Sequence, residues 1–422
     1  MKSEVLPARV AIIEFDSSHD ECLLTQVNAL KRHGSWVMLV TNNQVRSRNQ
    51  SLENLVDEWT EIDPKGKELS GAAIGDALII WRLMRSLKKS KIEKVVFNTA
   101  QGGHVRNACL FSLFSKIEFI GIIHTIRKFQ GSFTQRLINW KIKKYFVLGE
   151  FLKEQVVSTS ASFRQAQGNA LSHRRKLDSE VASELLSHRR KSDSLSSSKL
   201  DRNSSEVHSS RETERSRSHP RLEFFYPLDF LNNDSSPQNT NEVHISIIGS
   251  VESRRKDLEG FVSLVQQTDA SVHFHFLGKA DSKDPDVIKL KEELERIDCD
   301  NRVELYENRV KFHKIDQILR KSTAVLPLIH PETPSAKEYF RNQIPGAMSI
   351  ALGYKIPMLM HKSFRGIDEL KVASVYYNSN DFQCAMNELK SSAVSIRKKM
   401  RLANNYSSEY QYHSFLTLIF DS

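Results

Sequence analysis

Residues 243–278, VHISIIGSVESRRKDLEGFVSLVQQTDASVHFHFLG, already show the architecture expected of the chain. VHISIIG (Val243–Gly249) is a short run rich in β-branched residues, and VHFHFLG (Val272–Gly278) is a second. Between them lie a basic turn, SRRKD, and LEGFVSLVQQ, whose apolar residues recur at helical spacing. Strand, helix and strand in this order make a βαβ unit, the connection that joins parallel strands. The alternation continues through a charged helix, a strand near Arg302–Tyr306, a helix over Phe312–Lys321, and the runs TAVLPLIHP and PGAMSIALGYKIPML. Open parallel sheets bind ligands at the carboxyl ends of their strands. Polar groups that directly follow these runs are therefore the first candidates for a site.

The N-terminal part repeats the pattern. ARVAIIEF is a strand, and its loop DSSHDE leads into the helix ECLLTQVNALKRHG, which stops at Gly34. SWVMLVTN is the next strand, followed by a helix over Ile74–Lys88, the strand KVVFNTA, a helix after QGGH, and the strands FIGIIHT and KYFVLGE. These runs are nearly continuous in apolar residues, as strands covered on both faces require. The fold expected is α/β, with two Rossmann-like parallel-sheet domains facing a cleft, over residues 1–156 and 221–400. Residues 157–220 break the pattern: they hold 18 serines and few apolar residues, and LSHRRK occurs twice, at Leu171–Lys176 and Leu186–Lys191. Such a stretch buries too little surface to offset its ordering entropy, so a disordered Ser/Arg-rich insertion is expected there. Residues 401–422 carry aromatic and apolar residues from Tyr406 to Phe420 and are read as a terminal helix that packs back on the N-terminal domain.

Composition narrows the class. The 422 residues are 39% hydrophobic with a mean hydropathy of −0.44, and no apolar run nears the roughly 20 residues a membrane span needs. The start, MKSEVLPARV, lacks the basic and long apolar regions of a signal peptide. The four cysteines are far apart and form no CxxC, which fits a reducing compartment and gives no cysteine-built metal site. A cytoplasmic protein is expected, with peripheral contact at the inner face of a membrane through the basic stretch KIKK (Lys141–Lys144). The net charge is +10, and half of it falls in residues 161–221, where 13 Lys/Arg face 8 Asp/Glu. A basic balance suits a phosphorylated ligand, an anionic membrane or nucleic acid. The insertion holds no aromatic platform for bases, so no nucleic acid partner is expected.

Several polar residues follow strands. Gly249 ends the run VHISIIG, Ser250 follows it, and Arg254, Arg255 and Lys256 stand in the turn beyond. They read as an anion site or as a solvated turn opening a helix. His124 ends FIGIIHT, and His104 follows two glycines after KVVFNTA; each is either near a ligand or an ordinary histidine at a strand end. His19 and Asp20 stand in the first loop, where Asp20 is either a proton acceptor or a helix N-cap. His330 and Glu332 follow TAVLPLI, and Pro345–Gly346 opens a helix whose free N–H groups favour phosphate. The pair His273/His275 and the stretch Asp284–Asp286 invite a metal, but strand surface and a turn before a helix are the better readings, and no metal is expected.

The order of these elements resembles the GT-B glycosyltransferases, closest to the large family-4-like retaining group. Four segments carry the resemblance: IGSVESRRKD (Ile248–Asp257), KSTAVLPLIHPE (Lys321–Glu332), PGAMSIALGYKIPML (Pro345–Leu359), and FIGIIHT with KYFVLGEFLKEQV. The resemblance implies a sugar transferred from a nucleotide-diphosphate donor to a glycan, lipid-linked or other acceptor, without a metal and with no cofactor beyond the nucleotide-sugar co-substrate. It implies Lys256 at the donor phosphates and His124 near the reacting sugar as the catalytic residues. The donor would touch Gly249, Ser250, Arg254, Arg255, His330, Glu332, Pro345 and Gly346, and the acceptor side would hold His19, Asp20 and His104. The chain departs from the pattern in three respects: Ser250 stands where the family has Arg after the strand glycine, DSSHDE replaces its N-terminal Gly-rich loop, and its paired glutamates fall near Phe340 and Met348. The last departure motivates a second reading, a binding or scaffold protein that keeps the fold without turnover.

Overall fold

In the computed structural model of the chain, residues 7–63, 72–127, 129, 132–159, 220–230 and 242–421 are described. The chain divides into one unit made of residues 1–153 and 220–422 and a second of 154–219. The second is described only over 154–159, so the expected insertion lies almost wholly outside the described residues.

The first unit contains two sheets. One comprises β1 (Arg9–Glu14), β2 (Trp36–Thr41), β3 (Glu58–Glu61), β4 (Lys94–Phe97), β5 (Glu118–Ile123), β6 (Lys144–Val147) and β7 (Arg221–Phe224), in the order β3-β2-β1-β4-β5-β6-β7. The other comprises β8 (Val243–Ile248), β9 (Val272–Lys279), β10 (Val303–Tyr306), β11 (Ala324–Val325), β12 (Met358–His361) and β13 (Ser374–Tyr377), in the order β10-β9-β8-β11-β12-β13. Every pair in both sheets is parallel. Each sheet therefore reverses its strand order beside its first strand, between β1 and β4 and between β8 and β11. Parallel sheets of this kind open a crevice at that point.

The expected α/β architecture is present, with two corrections. RLEF (Arg221–Phe224), expected to begin the C-terminal domain, is the last strand of the first sheet: it pairs in register with β6, Lys144 against Arg221 through Val147 against Phe224. The reason is apolar: the residue after it, Phe225, is fully buried beside Phe146 and Phe415. The strand expected over TAVLPLIHP keeps ladder pairing only at Ala324–Val325, and Leu328 beyond it turns into the left-handed region at φ +59°.

Register fixes the faces of the second sheet. Val243, Ile245 and Ile247 stand beside Val272, Phe274 and Phe276, all on one face. Phe261 of the helix Leu258–Gln266 sets its ring edge-on against Phe274 and Phe276, at 5.2 and 5.1 Å. The first sheet has a covering problem. The crossovers into β4, β5 and β6 all step in one direction, so right-handed connections put their helices on one face. The helix Leu23–Arg32 covers the opposite face near β1 and β2. The rest of that face, including Ile120, Ile122, Phe146 and Phe225, is covered by the terminal helix Ser408–Phe420, whose Tyr412, Phe415, Leu418 and Ile419 join the same core. Phe415 is fully buried and lies 5.0 Å from the Phe146 ring.

Phe415→Ala is expected to destabilise the protein by roughly 3–5 kcal/mol through lost burial and a residual cavity. Denaturant unfolding checks this.

Candidate functional site

The carboxyl ends of the two sheets approach one another. After β5, the Ile126 amide donates to the Asn342 carbonyl at 2.8 Å and Arg127 pairs with Glu338 at 2.8 Å. After β6, the amides of Glu150 and Phe151 donate to the Glu369 carboxylate, at 2.7 and 3.2 Å. The loops that leave the strands of one sheet thus meet those of the other, and the polar residues at these ends belong to one region.

On the first sheet that region is organised by Glu14, the last residue of β1. It is fully buried. One carboxylate oxygen accepts from the Asp16 amide at 2.8 Å, and the other from Asn98 Nδ2 at 2.6 Å and Thr99 Oγ1 at 2.7 Å. Burial pushes its pKa up to about 7, against the three hydrogen bonds that favour the anion. Asn98 also donates to the His19 carbonyl at 2.9 Å and accepts from Gln26. The carboxylate therefore ties the loop after β1 to the loop after β4, across the point where the strand order reverses.

His19 and His124 meet there. Their rings stack with centroids 3.7 Å apart, and His19 sits at φ +66°, an uncommon conformation for a residue with a side chain. His124 is buried; its Nε2–H donates to the Asn98 carbonyl at 2.7 Å. That fixes the tautomer and leaves Nδ1 as a lone pair, with no hydrogen-bond partner among the described residues. Burial, with a smaller push from the charge of His19, holds the His124 pKa well below the ordinary value. Burial also works against a charged His19, but Glu21 at 3.5 Å, with Glu14 and Asp16, outweighs it and raises the His19 pKa. The pair thus divides into a neutral acceptor and a ring that favours its proton. At the ends of β1, β2 and β3 lies a hollow of about 250 Å³, lined by Phe15, Asp16, Ser17, Asn42, Asn43, Gln44 and Asp63.

On the second sheet, Gly249 follows β8 at φ +98°, and its backbone packs directly on Gly278: a methyl at Gly278 would fall 2.2 Å from the Gly249 carbonyl carbon. This close approach aims the turn. Lys256 folds back under it, buried, with Nζ donating to the Ile248 carbonyl at 2.9 Å and lying 3.2 Å from where a Gly249 side chain would begin. Burial lowers its pKa to about 8. Arg254 and Arg255 are exposed and share Glu252. The next residue, Asp257, caps the helix Leu258–Gln266 through the Gly260 amide at 2.8 Å. Its other oxygen accepts from His330 Nδ1 at 2.5 Å, and His330 Nε2 accepts from the Tyr377 hydroxyl at 2.7 Å. Hydrogen bonding from His330 is the main reason the Asp257 pKa is lowered. The His361 ring lies tilted against His330, centroids 5.0 Å apart, and burial lowers its pKa to about 4.

The sequence-derived candidates divide accordingly. His19 and His124 are together, and Gly249, Ser250 and Lys256 are together. Asp20 is taken by Arg48 and Asn49, both at 2.9 Å, and caps no helix with its side chain. His104 packs against the Phe15 ring, centroids 5.6 Å apart. His330 is buried with both ring nitrogens engaged, so it holds the loop of Lys256 in place, while Glu332 is exposed. Pro345 is buried, and Gly346 begins the helix Gly346–Tyr354 with no side-chain cap on its free amides. Phe340 packs on Phe364, and Met348 is buried in the core. Sequence reasoning missed Glu14, Asn98, Thr99, Asp257 and Tyr377. For Glu14 a signal existed: an acid closing an otherwise apolar strand.

No protein-family model matches the chain, and no curated protein matches it in sequence. Solved structures do match. A glycosyltransferase from Rickettsia africae is 11% identical over 99% of this chain and 100% of that one, with a TM-score of 0.61. The fold is that of the GT-B glycosyltransferases. Anabaena Alr3699/HepE in complex with UDP-glucose is 13% identical, covering 98% of this chain and 95% of that one, at a TM-score of 0.54. A UDP-GlcNAc 2-epimerase from Neisseria meningitidis, bound to UDP-GlcNAc, is 12% identical over 98% of this chain and 100% of that one, at 0.53. The fold thus serves both transfer and epimerisation among its neighbours. Among the described residues, no helix is long and apolar enough to cross a membrane, and no group of side chains could hold a metal ion.

A carboxylate with a raised pKa stabilises the fold at low pH and loses that contribution as pH rises through its folded value. Glu14 should therefore make the protein less stable as pH rises from about 4.5 to about 7, by on the order of 3 kcal/mol at most. Melting temperatures of the native chain and Glu14→Gln across this range check it: the decline should be shallower in the variant.

Proposed function

We propose that the protein binds a nucleotide-diphosphate sugar between its two sheets and transfers the sugar to a glycan or lipid-linked acceptor. The observation that carries this reading is Lys256. It is a buried lysine whose one hydrogen-bond acceptor among the described residues is a carbonyl, set under a glycine turn at the carboxyl end of β8. Glu252 acts on this buried ammonium only from beyond ion-pair distance, being held by Arg254 and Arg255; a buried charge without a close counter-charge is costly, and a diphosphate would supply one. The uncapped start of the helix at Gly346 adds free amides for the same anion. Arg254 and Arg255 stand in the same turn as a second, exposed source of positive charge. As the sugar–phosphate bond breaks, negative charge grows on the leaving diphosphate, and these groups stabilise it without a metal. The Asp257–His330–Tyr377 chain supports the first step by fixing the residue next to Lys256.

On the facing sheet, the His124 lone pair and the proton-favouring His19 suit hydrogen bonds to the reacting sugar and to an acceptor hydroxyl. The hollow at the ends of β1, β2 and β3, lined mostly by polar side chains, is the place for the acceptor. Contact with a membrane surface through Lys141–Lys144 would bring a lipid-linked acceptor to it. A second reading, binding without transfer, is favoured by the resemblance itself, which puts the family's paired glutamates near Phe340 and Met348; here the one packs on Phe364 and the other is buried in the core.

The test is thermal unfolding with UDP, GDP, ADP or CDP, on the native chain and on Lys256→Met, which keeps the side chain's length without its charge. One nucleotide should raise the melting temperature, by the equivalent of about 2.7 kcal/mol at a hundredfold excess over Kd. The variant should lose most of that rise. Release of free nucleotide from the matching nucleotide-sugar separates transfer from mere binding. No shift with any nucleotide would refute the donor site.

A further inference from the structure

The first sheet has an outer layer that the proposed reaction does not use. The helices Ala72–Lys89, Gly103–Phe111 and Phe133–Lys141 pack side by side on the face away from the helix Leu23–Arg32. A layer of this kind should turn polar residues to solvent. This one does not. Five of the seven exposed aromatic side chains among the described residues lie on it or on the turn after its middle helix: Trp81, Phe111, Phe114, Phe133 and Trp140. Phe114 is fully exposed, Phe133 is 73% exposed and Trp140 61%. Leu78 and Leu110 extend the apolar surface.

The charge around these rings is mostly basic, with Glu93 and Glu118 the acids that share a hollow with Phe114 and Lys88. The three helices carry seven Lys/Arg and one acid, Asp76. Arg85 lies over the Trp81 ring at 4.7 Å, and Lys116 and Lys143 extend the basic rim beyond the helices. The nearby Glu118 is neutralised by Lys94 and Lys144. Solvent-facing aromatics among lysines and arginines, with few carboxylates, suit a surface that is apolar below and anionic above. Trp and Phe insert at the depth of lipid headgroups, and the basic side chains meet the phosphates.

We propose that this three-helix face docks on the surface of an anionic bilayer, with Phe114, Phe133 and Trp140 inserted and Arg85, Lys88 and Arg136 against the headgroups. The contact extends well beyond the KIKK stretch and does not depend on the nucleotide site. It would hold the carboxyl ends of the first sheet at a fixed orientation to the membrane.

The experiment is co-sedimentation of the full-length protein with vesicles of phosphatidylcholine alone or with about one-third phosphatidylserine. The protein should bind the anionic vesicles at least tenfold more tightly than the neutral ones, and added salt should weaken binding. Phe114→Ser/Phe133→Ser/Trp140→Ser should weaken it at least tenfold with the melting temperature and any nucleotide-induced shift unchanged. Arg85→Gln/Arg136→Gln should erode the preference for anionic lipid. Absence of binding to either vesicle would overturn the proposal, as would full binding by the aromatic variant. Self-association of the native chain that the aromatic variant abolishes would assign the face to a second copy instead. Aromatic-dependent retention of a single-stranded oligonucleotide in preference to vesicles would assign it to nucleic acid.

Discussion

A parallel ladder gives a chain no short way back: each strand must be followed by a crossover along the outside of the sheet before the next can pair. Both sheets of this protein are wholly parallel, and much else depends on that. Every strand ends at the same edge of its sheet, every connecting loop begins there, and the helices that return are pushed to the faces. In the first sheet the connections into β4, β5 and β6 crowd one face, and a helix from the far end of the chain must cover the other. The terminal helix is thereby part of the N-terminal core, although the sequence between belongs mostly to the second sheet.

The two edges are electrostatically unlike. The first holds a buried carboxylate, a neutral imidazole and a second imidazole that favours its proton, all joined through Asn98. The second holds a buried ammonium beneath a glycine turn, backed by a carboxylate–imidazole–phenol chain. Hydrogen bonds fix the direction of these buried groups, and two openings among the described residues are complementary in kind: the Nδ1 of His124 and the remaining protons of Lys256. One is an acceptor and the other a donor of positive charge. A ligand that offers hydroxyls at one end and phosphates at the other complements both.

The alternation of strands and helices was legible in the sequence because apolar runs and helical periods follow from burial, which is a local property of each segment. The helix over Phe312–Lys321 lies where the residues place it. The resemblance to GT-B proteins rested on the same order of elements. The strand Arg221–Phe224 was assigned to the wrong sheet because its neighbour in sequence is the insertion, whereas its partner, β6, lies across that insertion. The site was legible only in part. His124 and Lys256 stand directly after strands, so topology alone brings them to the edge. His330 stands there too, but its partners Asp257 and Tyr377 are 73 and 47 residues away. Nothing local could show that its ring is consumed by them. Glu14 was overlooked as the end of a strand, since its role appears only when Asn98 and Thr99 arrive from β4.

A nucleotide sugar held between the two edges, with its phosphates on the turn after β8, should protect the backbone it covers. Amide hydrogen exchange of the full chain, with and without a saturating UDP-sugar, reads this out. Slower exchange is expected in two separate stretches, 249–257 and 344–349, with a smaller effect over 15–19 and 98–104. Binding that protects other segments while leaving 249–257 unchanged would contradict it.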